Sequence, residues 1–403
     1  MTLTLLFDLD DTLLGNDIDT FLPAYLKALG QHLRPYVEPD RMVRQLLSAT
    51  KVMIDNDSPG LTLEQAFDQD FYPAIERTKE EMRPALEQFY GVIFPSLPPL
   101  TQKRDEALPL VEWSKAQGHT LVAATNPIFP RQAILHRLEW AGLDPQGSAF
   151  SLITDYESFH FSKPNPAFLT EILARLGWPA QPAVMIGNSM TEDLLPAAQL
   201  GLPVFWINPQ RDALPGGFHA LSASGPLSEV QDWIKKVDSA GLRQDFITPQ
   251  AILSILKSTA AVMHCLSVNL SERQWRERPE PEAWSLTEIF AHLRDVDREV
   301  NIPRLDKVLS ENMPFLAGYN TDAWTEERGY RLEDGPSALR GFLAARKRLI
   351  DNLEGLEAMD WERVARHAIF GPTKLREMIG FTATHDRNHI QQIFETARTL
   401  RIG

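Results

Sequence analysis

Several acidic side chains stand close together near the N-terminus, in the segment Phe7-Asp8-Leu9-Asp10-Asp11-Thr12-Leu13. Asp8 and Asp10 lie two residues apart where an apolar run ends, so both carboxylates could point into one crevice beyond a strand. Like charges that close need a cation or a shared proton. Mg²⁺ prefers carboxylates, water and substrate phosphate as ligands. The pair therefore suggests a magnesium site, with a polar turn as the plain alternative.

Three histidines in the last third of the chain form a second candidate group. His385 and His389 are four residues apart, which places both on one helix face, and His292 could reach them from a facing helix. Three imidazoles suit zinc, nickel or iron, with open positions left for water or substrate. The residues between the pair supply no glutamate for an HExxH protease motif. Three buried structural histidines are the alternative.

The elements that would position the acids alternate between strand and helix. Short apolar runs at residues 3–9, 120–125, 183–186 and 203–207 are separated by segments of helical periodicity. This alternation predicts an α/β fold with a doubly wound parallel sheet, in which ligands lie beyond the carboxyl ends of the strands. Residues 15–100 have helical spacing and no strand signal. They predict a helical insertion directly after the first strand, followed by a stiff proline-rich return to the sheet at residues 95–99.

Four sequence pieces, each at a strand end or in a plausible loop, resemble the motifs of the haloacid dehalogenase (HAD) superfamily in the right order. They are Asp8-Leu9-Asp10-Asp11-Thr12, Thr125-Asn126, Ser162-Lys163-Pro164, and Gly187-Asn188-Ser189 with Glu192-Asp193. The resemblance covers about residues 1–238. It implies that the insertion at about 15–100 is the family's cap.

The resemblance also implies roles for individual residues in phosphomonoester hydrolysis. Asp8 would be the nucleophile that forms an aspartyl-phosphate, and Asp10 would serve as general acid and then as general base. Thr125 and Lys163 would stabilise the charge on the transferring phosphoryl group. Asn126, together with Lys163, would bind the phosphate. The Mg²⁺ ligands are expected to be Asp8, Asp10 through its backbone carbonyl, Asn188 and Asp193. The second acid, Asp10, favours a phosphatase over a dehalogenase, and the expected substrate is a small phosphorylated metabolite.

One position departs from the family pattern. Asn188 stands where the family commonly has aspartate, so the site has one negative charge fewer and should hold Mg²⁺ more weakly, unless Glu192 compensates. Two alternatives follow. The front domain could be a weakened module that regulates or binds anions, with the chemistry at the histidines. Otherwise neither site turns over and the chain is a scaffold.

The C-terminal part predicts only helices. Candidate helices cover residues 249–270, 286–308, 337–354 and 374–398, and Ser285 with Glu288 makes a capping box. Four helices of this length predict a four-helix bundle. The segment around Trp284-Ser285, together with His292 and the HDRNHIQQ sequence, resembles the DinB-like four-helix metalloprotein family. That resemblance implies His292, His385 and His389 as metal ligands, and the family includes thiol-dependent transferases.

Charge and composition limit the partners. The net charge of −14 divides into −12 for residues 1–238 and −2 for residues 239–403. An acidic front part is a poor electrostatic match for nucleic acid. We find no signal peptide and no apolar stretch of membrane-spanning length, so we expect a cytoplasmic protein without membrane contacts. One cysteine excludes an intramolecular disulfide.

We expect a HAD-like domain over residues 1–240 and a DinB-like bundle over residues 245–403. Exposed faces of the bundle leave a homodimer open.

Overall fold

The computed structural model describes residues 2–144, 149–238, 241–267 and 270–400. Contacts between residues divide the chain into two compact units, residues 1–172 with 179–245 and residues 173–178 with 246–403. Residues 239 and 240, at the end of the expected first domain, lie outside the described part, as do residues 401–403 at the end of the second.

The first unit contains a parallel sheet and a small antiparallel ladder. Its strands are β1 Thr4–Phe7, β2 Leu14–Asn16, β3 Thr101–Lys103, β4 Thr120–Ala123, β5 Leu152–Ile153, β6 Ala183–Gly187, β7 Val204–Ile207 and β8 Ala223–Gly225. Six of them form the sheet in the order β5-β4-β1-β6-β7-β8, with every pairing parallel. This confirms the doubly wound sheet.

The helices of this unit cover the sheet and build the cap. They are α1 Ile18–Leu33, α2 Pro39–Ile54, α3 Leu63–Ile75, α4 Lys79–Gln88, α5 Ala107–Ala116, α6 Arg131–Trp140, α7 Pro166–Arg175, α8 Leu195–Gln199 and α9 Val230–Lys236. Helices α1 to α4 are the insertion expected after the first strand. All residues of β1 are buried, as expected for a central parallel strand with both faces covered.

The cap differs in two details from the sequence pattern. The helical spacing over residues 63–89 is divided between α3 and α4 because Glu76 adopts a left-handed conformation with φ 56°. Thr78 then starts α4 with a capping box. The second difference is the strand β2, which pairs antiparallel with β3 at the entrance and exit of the cap. Strands of three residues are too short to leave a periodic signal.

The second unit is a helical bundle with a small sheet. Its helices are α10 Pro249–Leu266, α11 Glu272–Arg276, α12 Leu286–Val296, α13 Ile302–Ser310, α14 Trp324–Glu327, α15 Gly335–Glu354 and α16 Leu375–Thr399. A π-helical turn, Asp297–Asn301, connects α12 to α13. Helices α10 and α12 both pack against α15 and α16. The four-helix bundle and the capping box of Ser285 and Glu288 are confirmed.

The expectation that this part is purely helical is wrong. Strands β9 Phe315–Leu316, β10 Val364–His367 and β11 Gly371–Lys374 form a three-stranded sheet in the order β11-β10-β9. Strands of two to four residues with a proline in β11 give no alternating pattern. The first bundle helix, expected to reach residue 270, ends at Leu266, and residues 268 and 269 lie outside the described part. None of the helices in the described ranges has the length and apolar content needed to cross a bilayer.

Candidate functional sites

The carboxyl ends of three neighbouring strands bring polar side chains to one edge of the parallel sheet. Strand β1 lies between β4 and β6. Asp8 follows β1 directly, Thr125 follows β4, and Asp193 lies in the π-helical turn after β6. All three side chains are buried, with exposed fractions of 5% or less. Parallel strands end at the same edge, so residues distant in sequence meet there.

Lys163 joins two of these acids. Its Nζ atom donates hydrogen bonds to Asp8 Oδ1 at 2.7 Å and to Asp193 Oδ1 at 2.6 Å. The backbone N–H of Lys163 donates to Asn126 Oδ1 at 3.3 Å. The structure therefore brings together the predicted nucleophile, the predicted cation and one predicted metal ligand, with Asn126 beside them.

The charges in this group determine its protonation. Burial opposes the charge on Lys163, but Asp193 and Asp8 outweigh it and raise the pKa of the ammonium group. Burial, followed by the charge of Asp8, raises the pKa of Asp193. Two carboxylates around one ammonium carry a net charge of about −1 when ionised. A divalent cation would relieve that excess and lower the pKa of Asp193 again.

Two polar atoms of the group have no hydrogen-bond partner among the described residues. They are Asp8 Oδ2 and Thr125 Oγ1, and both are buried. A buried polar atom without a partner costs about 1–3 kcal/mol, so such atoms indicate a place where a ligand completes the bonding. A carboxylate oxygen suits a metal or an electrophile, and a hydroxyl suits a phosphoryl oxygen.

The oxygen donors at this edge fit Mg²⁺. Gly187, the last residue of β6, allows Asp193 to approach because a Cβ atom there would lie 2.3 Å from Asp193 Oδ2. Asp8 Oδ2 and the Asn188 amide oxygen lie at the same edge. Carboxylate and amide oxygens with room for water and phosphate are the set that Mg²⁺ takes. The residues present therefore fit the ion.

Asn188 and Glu192 occupy different environments. Asn188 Oδ1 accepts a hydrogen bond from Thr12 Oγ1 at 3.3 Å, and its backbone oxygen accepts one from Trp206 Nε1 at 2.9 Å. Glu192 is exposed, although it borders the same cavity as Asp193. The amide of Asn188 is thus held in place by its neighbours, whereas no described hydrogen bond fixes the Glu192 carboxylate.

Asp10 has partners that sequence reasoning missed. Its carboxylate forms an ion pair with Arg137 of α6 and accepts a hydrogen bond from Asn16 Nδ2 at 2.9 Å. Arg137 is 2% exposed and lies over the Phe129 ring. Burial lowers the pKa of Arg137 to about 10, partly opposed by the charge of Asp8, so the guanidinium is charged at neutral pH. Arg137 holds the predicted acid–base residue in a fixed position.

A sequence signal for Arg137 does exist. The buried residues of α6 are Ala133, Ile134, Arg137 and Leu138. Their spacing defines the apolar face of the helix, and a charged residue on that face needs a buried partner. The position was therefore detectable as unusual, but its partner Asp10 was not.

A cavity of about 470 Å³ connects this edge of the sheet with the cap. Asp8, Asp10, Asn126 and Arg137 line it from the core, and side chains of α1 to α4 line it from the cap. We call it the cap cavity. Asp8 therefore borders a space that side chains of the cap helices also line.

The second site consists of the three histidines predicted in the bundle. His292 lies on α12, and His385 and His389 lie one turn apart on α16. The Nε2 atoms of His292 and His385 are 3.0 Å apart, and those of His389 and His385 are 3.1 Å apart. All ligand atoms lie within 4.8 Å of one another. Three imidazole nitrogens therefore converge on one point.

The three imidazoles are held neutral. Burial, followed by His389 and His385, lowers the pKa of His292 to about 2. Burial, His389 and Arg346 lower the pKa of His385 to about 3. Burial also lowers the pKa of His389. Metal ligation requires the neutral form, so the environment prepares the group for a metal.

Two of the three nitrogen–nitrogen distances fit a tetrahedral metal, and the third, between His292 and His389, is at most 4.8 Å. With metal–nitrogen distances of about 2.0–2.1 Å, tetrahedral ligands lie roughly 3.3 Å apart, close to the 3.0 Å and 3.1 Å observed. Three ligands leave one position open. Zinc, nickel and iron all accept such a set.

Two neighbours orient this cluster. His389 Nδ1 is 2.9 Å from Gln392 Oε1, so donation to that oxygen leaves the Nε2 lone pair free. The Trp284 ring stacks on His389 at 5.9 Å and contacts His292 at 5.0 Å. The sequence motifs contained both Gln392 and Trp284, but the pattern assigned neither residue a contact with the histidines. The position of Trp284 just before the α12 N-cap was the available signal.

Two acids near the histidines in sequence, Asp295 and Asp386, bond other partners. Asp295 Oδ2 accepts hydrogen bonds from Tyr330 Oη at 2.8 Å and from Arg328 at 3.1 Å. Asp386 pairs with the buried Arg346. Proximity in sequence therefore does not identify the group that orients each histidine.

Family models match both units. Residues 2–201 match the haloacid dehalogenase-like hydrolase family, and residues 255–393 match the DinB superfamily. The chain is also similar to proteins of Bacillus. YuaE of Bacillus subtilis, an uncharacterised protein, is 23% identical over 137 residues, which is 31% of this chain and 85% of YuaE.

The other relative, from Bacillus cereus strain AH820, is named as a candidate metal-dependent hydrolase. It is 28% identical over 117 residues, which cover 29% of this chain and 66% of that protein. Among solved structures, a 2-haloacid dehalogenase from Pseudomonas syringae is 23% identical with a TM-score of 0.43 and covers 59% of this chain and 99% of its own. By the family-model matches, the chain contains a haloacid dehalogenase-like hydrolase domain over residues 2–201 and a DinB superfamily domain over residues 255–393.

Proposed function

We propose that the first unit hydrolyses phosphomonoesters in a Mg²⁺-dependent reaction through an aspartyl-phosphate at Asp8. The observation that carries the proposal is the buried group in which Asp8 Oδ1 is held by Lys163 while Asp8 Oδ2 has no partner among the described residues. One carboxylate oxygen is anchored and the other is available, as a positioned nucleophile requires.

The first step transfers the phosphoryl group to the enzyme. A carboxylate oxygen of Asp8 attacks phosphorus, the bond from phosphorus to the ester oxygen breaks, and protonated Asp10 gives its proton to the departing oxygen. Lys163 and the Thr125 hydroxyl stabilise the charge on the transferring group. When bound, Mg²⁺ would offset the negative charge of the phosphoryl oxygens.

The second step restores the enzyme. Asp10, now ionised, takes a proton from water as the water oxygen attacks phosphorus, and the bond between phosphorus and Asp8 breaks to release phosphate. The ion pair with Arg137 favours the ionised form of Asp10. Arg137 is therefore a positioning residue that holds the Asp10 carboxyl group in place for proton transfer in both steps.

Dehalogenation is a weaker fit to the same residues. A halide leaves as a stable anion and needs no proton, so it makes no use of Asp10. The carboxylates of this group outnumber its cations, and a site that binds a divalent metal ion in this way suits phosphoryl transfer. The expected substrate is a small phosphorylated metabolite.

Phosphate release from a panel of phosphomonoesters, with and without Mg²⁺, tests the proposal. Turnover should require the ion and should be lost in Asp8→Asn, with a fall on the order of 10⁴ for a removed nucleophile. The matched control is Asp232→Asn, which makes the same change at an exposed position of α9. Equal activity in Asp8→Asn and Asp232→Asn, with both folded, would rule out the proposed nucleophile.

We propose for the second unit that His292, His385 and His389 bind one divalent transition metal. The convergence of three Nε2 atoms supports this assignment. With an open coordination position, such a site can bind a water or a thiolate nucleophile, which suits either a hydrolase or a thiol-dependent transferase. The weakened-module alternative places all chemistry here.

Metal analysis of the purified protein tests the second assignment. The full chain should contain about one transition metal per molecule, which His385→Ala should lose. His219→Ala, which removes a histidine of the first unit, should retain it. A metal content that does not depend on His385 contradicts the assignment.

A further inference from the structure

The cap cavity has a two-sided chemical character. From the core, the polar side chains of Asp8, Asp10, Asn126 and Arg137 face it. From the cap, the lining is dominated by leucine and phenylalanine side chains of α1 to α4. The polar side chains proposed to bind phosphate therefore belong to the core, and helices α1 to α4 of the cap form an apolar wall opposite them.

Several of the apolar side chains on this wall remain partly accessible. Leu22, Leu26, Leu46, Phe67 and Leu86 are only half-buried, although all five pack against the aromatic core of the cap. Apolar surface that stays accessible to water costs about 25 cal/mol per Å² relative to its burial. An apolar ligand group that covers these side chains recovers that free energy.

Two hydroxyls of the cap pair with each other. The hydroxyls of Tyr25 and Tyr90 hydrogen-bond to each other at 2.8 Å. Thr50 and Tyr72 supply the other hydroxyls of α1 to α4 that line the cavity. A ligand with several hydroxyls would therefore meet more leucine and phenylalanine side chains than hydrogen-bond partners on this wall, and polar groups buried without partners are costly.

The lysine and arginine side chains of the cap also point away from the cap cavity. Within the described part of the chain, no lysine or arginine of α1 to α4 lines the cap cavity. Arg41 pairs with Glu76 at 2.8 Å, and Lys51 pairs with Asp55 at 2.6 Å. Arg137, which does line the cavity, is paired with Asp10. A second phosphate or a carboxylate on the substrate would have no unpaired positive charge to meet on this wall.

We propose that the substrate of the first unit is the phosphate monoester of an apolar alcohol, with the phosphoryl group at Asp8 and the apolar group in the cap cavity. This inference rests on the proposed phosphatase function and specifies its substrate class. A volume of about 470 Å³ equals that of roughly 15 water molecules in the liquid. It accommodates a phosphate with a short alkyl chain or one ring, and excludes a nucleoside diphosphate on charge.

The test uses ethyl, butyl and hexyl phosphate with the full chain and Mg²⁺. These esters have similar leaving groups and differ in apolar length. If each added methylene is buried, kcat/KM should rise about fourfold per methylene until the cavity is filled. Hexyl phosphate should exceed ethyl phosphate by at least about tenfold, and glucose 6-phosphate should be a poorer substrate than hexyl phosphate.

Two variants of the cap test whether the apolar wall causes the dependence of kcat/KM on alkyl chain length. Leu26→Asn changes the apolar wall, and the ratio of kcat/KM for hexyl and ethyl phosphate should fall severalfold. Val52→Asn makes a comparable change on α2 at a side chain that is 42% exposed and outside the cavity lining. That control should keep the ratio of the unmodified protein. An unchanged ratio in a folded Leu26→Asn variant contradicts the assignment of the wall.

The remaining outcomes distinguish a failure of the apolar substrate assignment from a failure of the phosphatase proposal. Asp8-dependent hydrolysis with no dependence on chain length overturns the apolar substrate and leaves the phosphatase intact. If no ester is hydrolysed, the phosphatase proposal fails. In that case titration calorimetry with ethyl- and hexylphosphonate decides the rest. Tighter binding of hexylphosphonate by about tenfold or more keeps the apolar ligand assignment, and equal or absent binding overturns it.

Discussion

The acidic group around Asp8 and the three-histidine cluster solve opposite electrostatic problems. In the first, the Lys163 ammonium group lies between Asp8 and Asp193 and donates hydrogen bonds of 2.7 and 2.6 Å to their carboxyl groups. In the second, burial keeps His292 and His385 neutral, with pKa values of about 2 and 3. The first site depends on ion pairs with Lys163, and the second depends on imidazoles that stay uncharged. A single change should therefore affect the two sites differently.

The largest expected effect comes from Lys163→Met. The variant leaves two buried carboxylates without their cation, and removing one partner of a buried ion pair costs about 3–5 kcal/mol of the free energy of unfolding. Phosphate release should also fall by at least about 10³-fold because charge on the phosphoryl group is no longer offset.

Urea unfolding at pH 7 and single-turnover kinetics measure both effects. The exposed Lys347→Met, which breaks an ion pair with Asp351 on α15, is the control and should change stability by less than about 1 kcal/mol. Equal losses in the two variants would remove the distinction between charged and neutral sites.

A smaller effect is expected from Gln392→Ala at the histidine cluster. Without Gln392 Oε1, the Nδ1 proton of His389 has no described acceptor, and metal affinity should fall about 10–100-fold. Competition with a chelator, read by metal content, gives the affinity. Gln391→Ala at the adjacent position of α16 is the control. Phosphatase activity should stay unchanged in both variants, and a parallel loss there would contradict the separation of the sites.

The pH dependence of stability should have opposite signs at the two sites in metal-free protein. The folded pKa of His292 lies below its ordinary 6.5, so its contribution is present above pH 6.5 and is lost as pH falls below it. The folded pKa of Asp193 lies above its ordinary 3.8, so its contribution is present at acid pH and is lost as pH rises through the raised value.

Urea unfolding in EDTA at pH 6.5 and 5.5 reveals these signs. The free energy of unfolding should fall by about 1 kcal/mol more in the unmodified protein than in His292→Gln. Relative to Asp193→Asn, the unmodified protein should gain stability over the same interval. If the free energy of unfolding changes with pH in the same direction in both comparisons, the opposite pKa shifts of His292 and Asp193 are contradicted.

The smallest effect is expected from Asn188→Asp. Thr12 Oγ1 donates to Asn188 Oδ1, and a carboxylate can accept the same bond, so the fold should tolerate the change. The added charge should lower the Mg²⁺ concentration for half-maximal activity about three- to tenfold. Asn165→Asp, outside the group, should leave it unchanged. Activity in Asn188→Asp from an inactive parent would favour the weakened-module alternative.

Residue pattern alone predicted much of the fold. Fully buried strands such as β1 and β6 leave apolar runs, and long helices such as α15 and α16 leave the 3.6-residue period, because both signals are local. The parallel sheet, the cap and the bundle followed from them. The edge strands β5 and β8 and the sheet β9 to β11 did not, because two to four residues carry no period.

The candidate sites show the same division between local and distant information. From the sequence by itself, the resemblance to the haloacid dehalogenase motifs predicted that Asp8, Thr125 and Asp193 belong to one site, and the four-residue spacing placed His385 and His389 on one helix face. Only the tertiary structure decided that Arg137 pairs with Asp10, that Trp284 stacks on His389, and that the cap wall is apolar. Those contacts join side chains of different elements, and their partners are chosen by packing between surfaces, which no local spacing records.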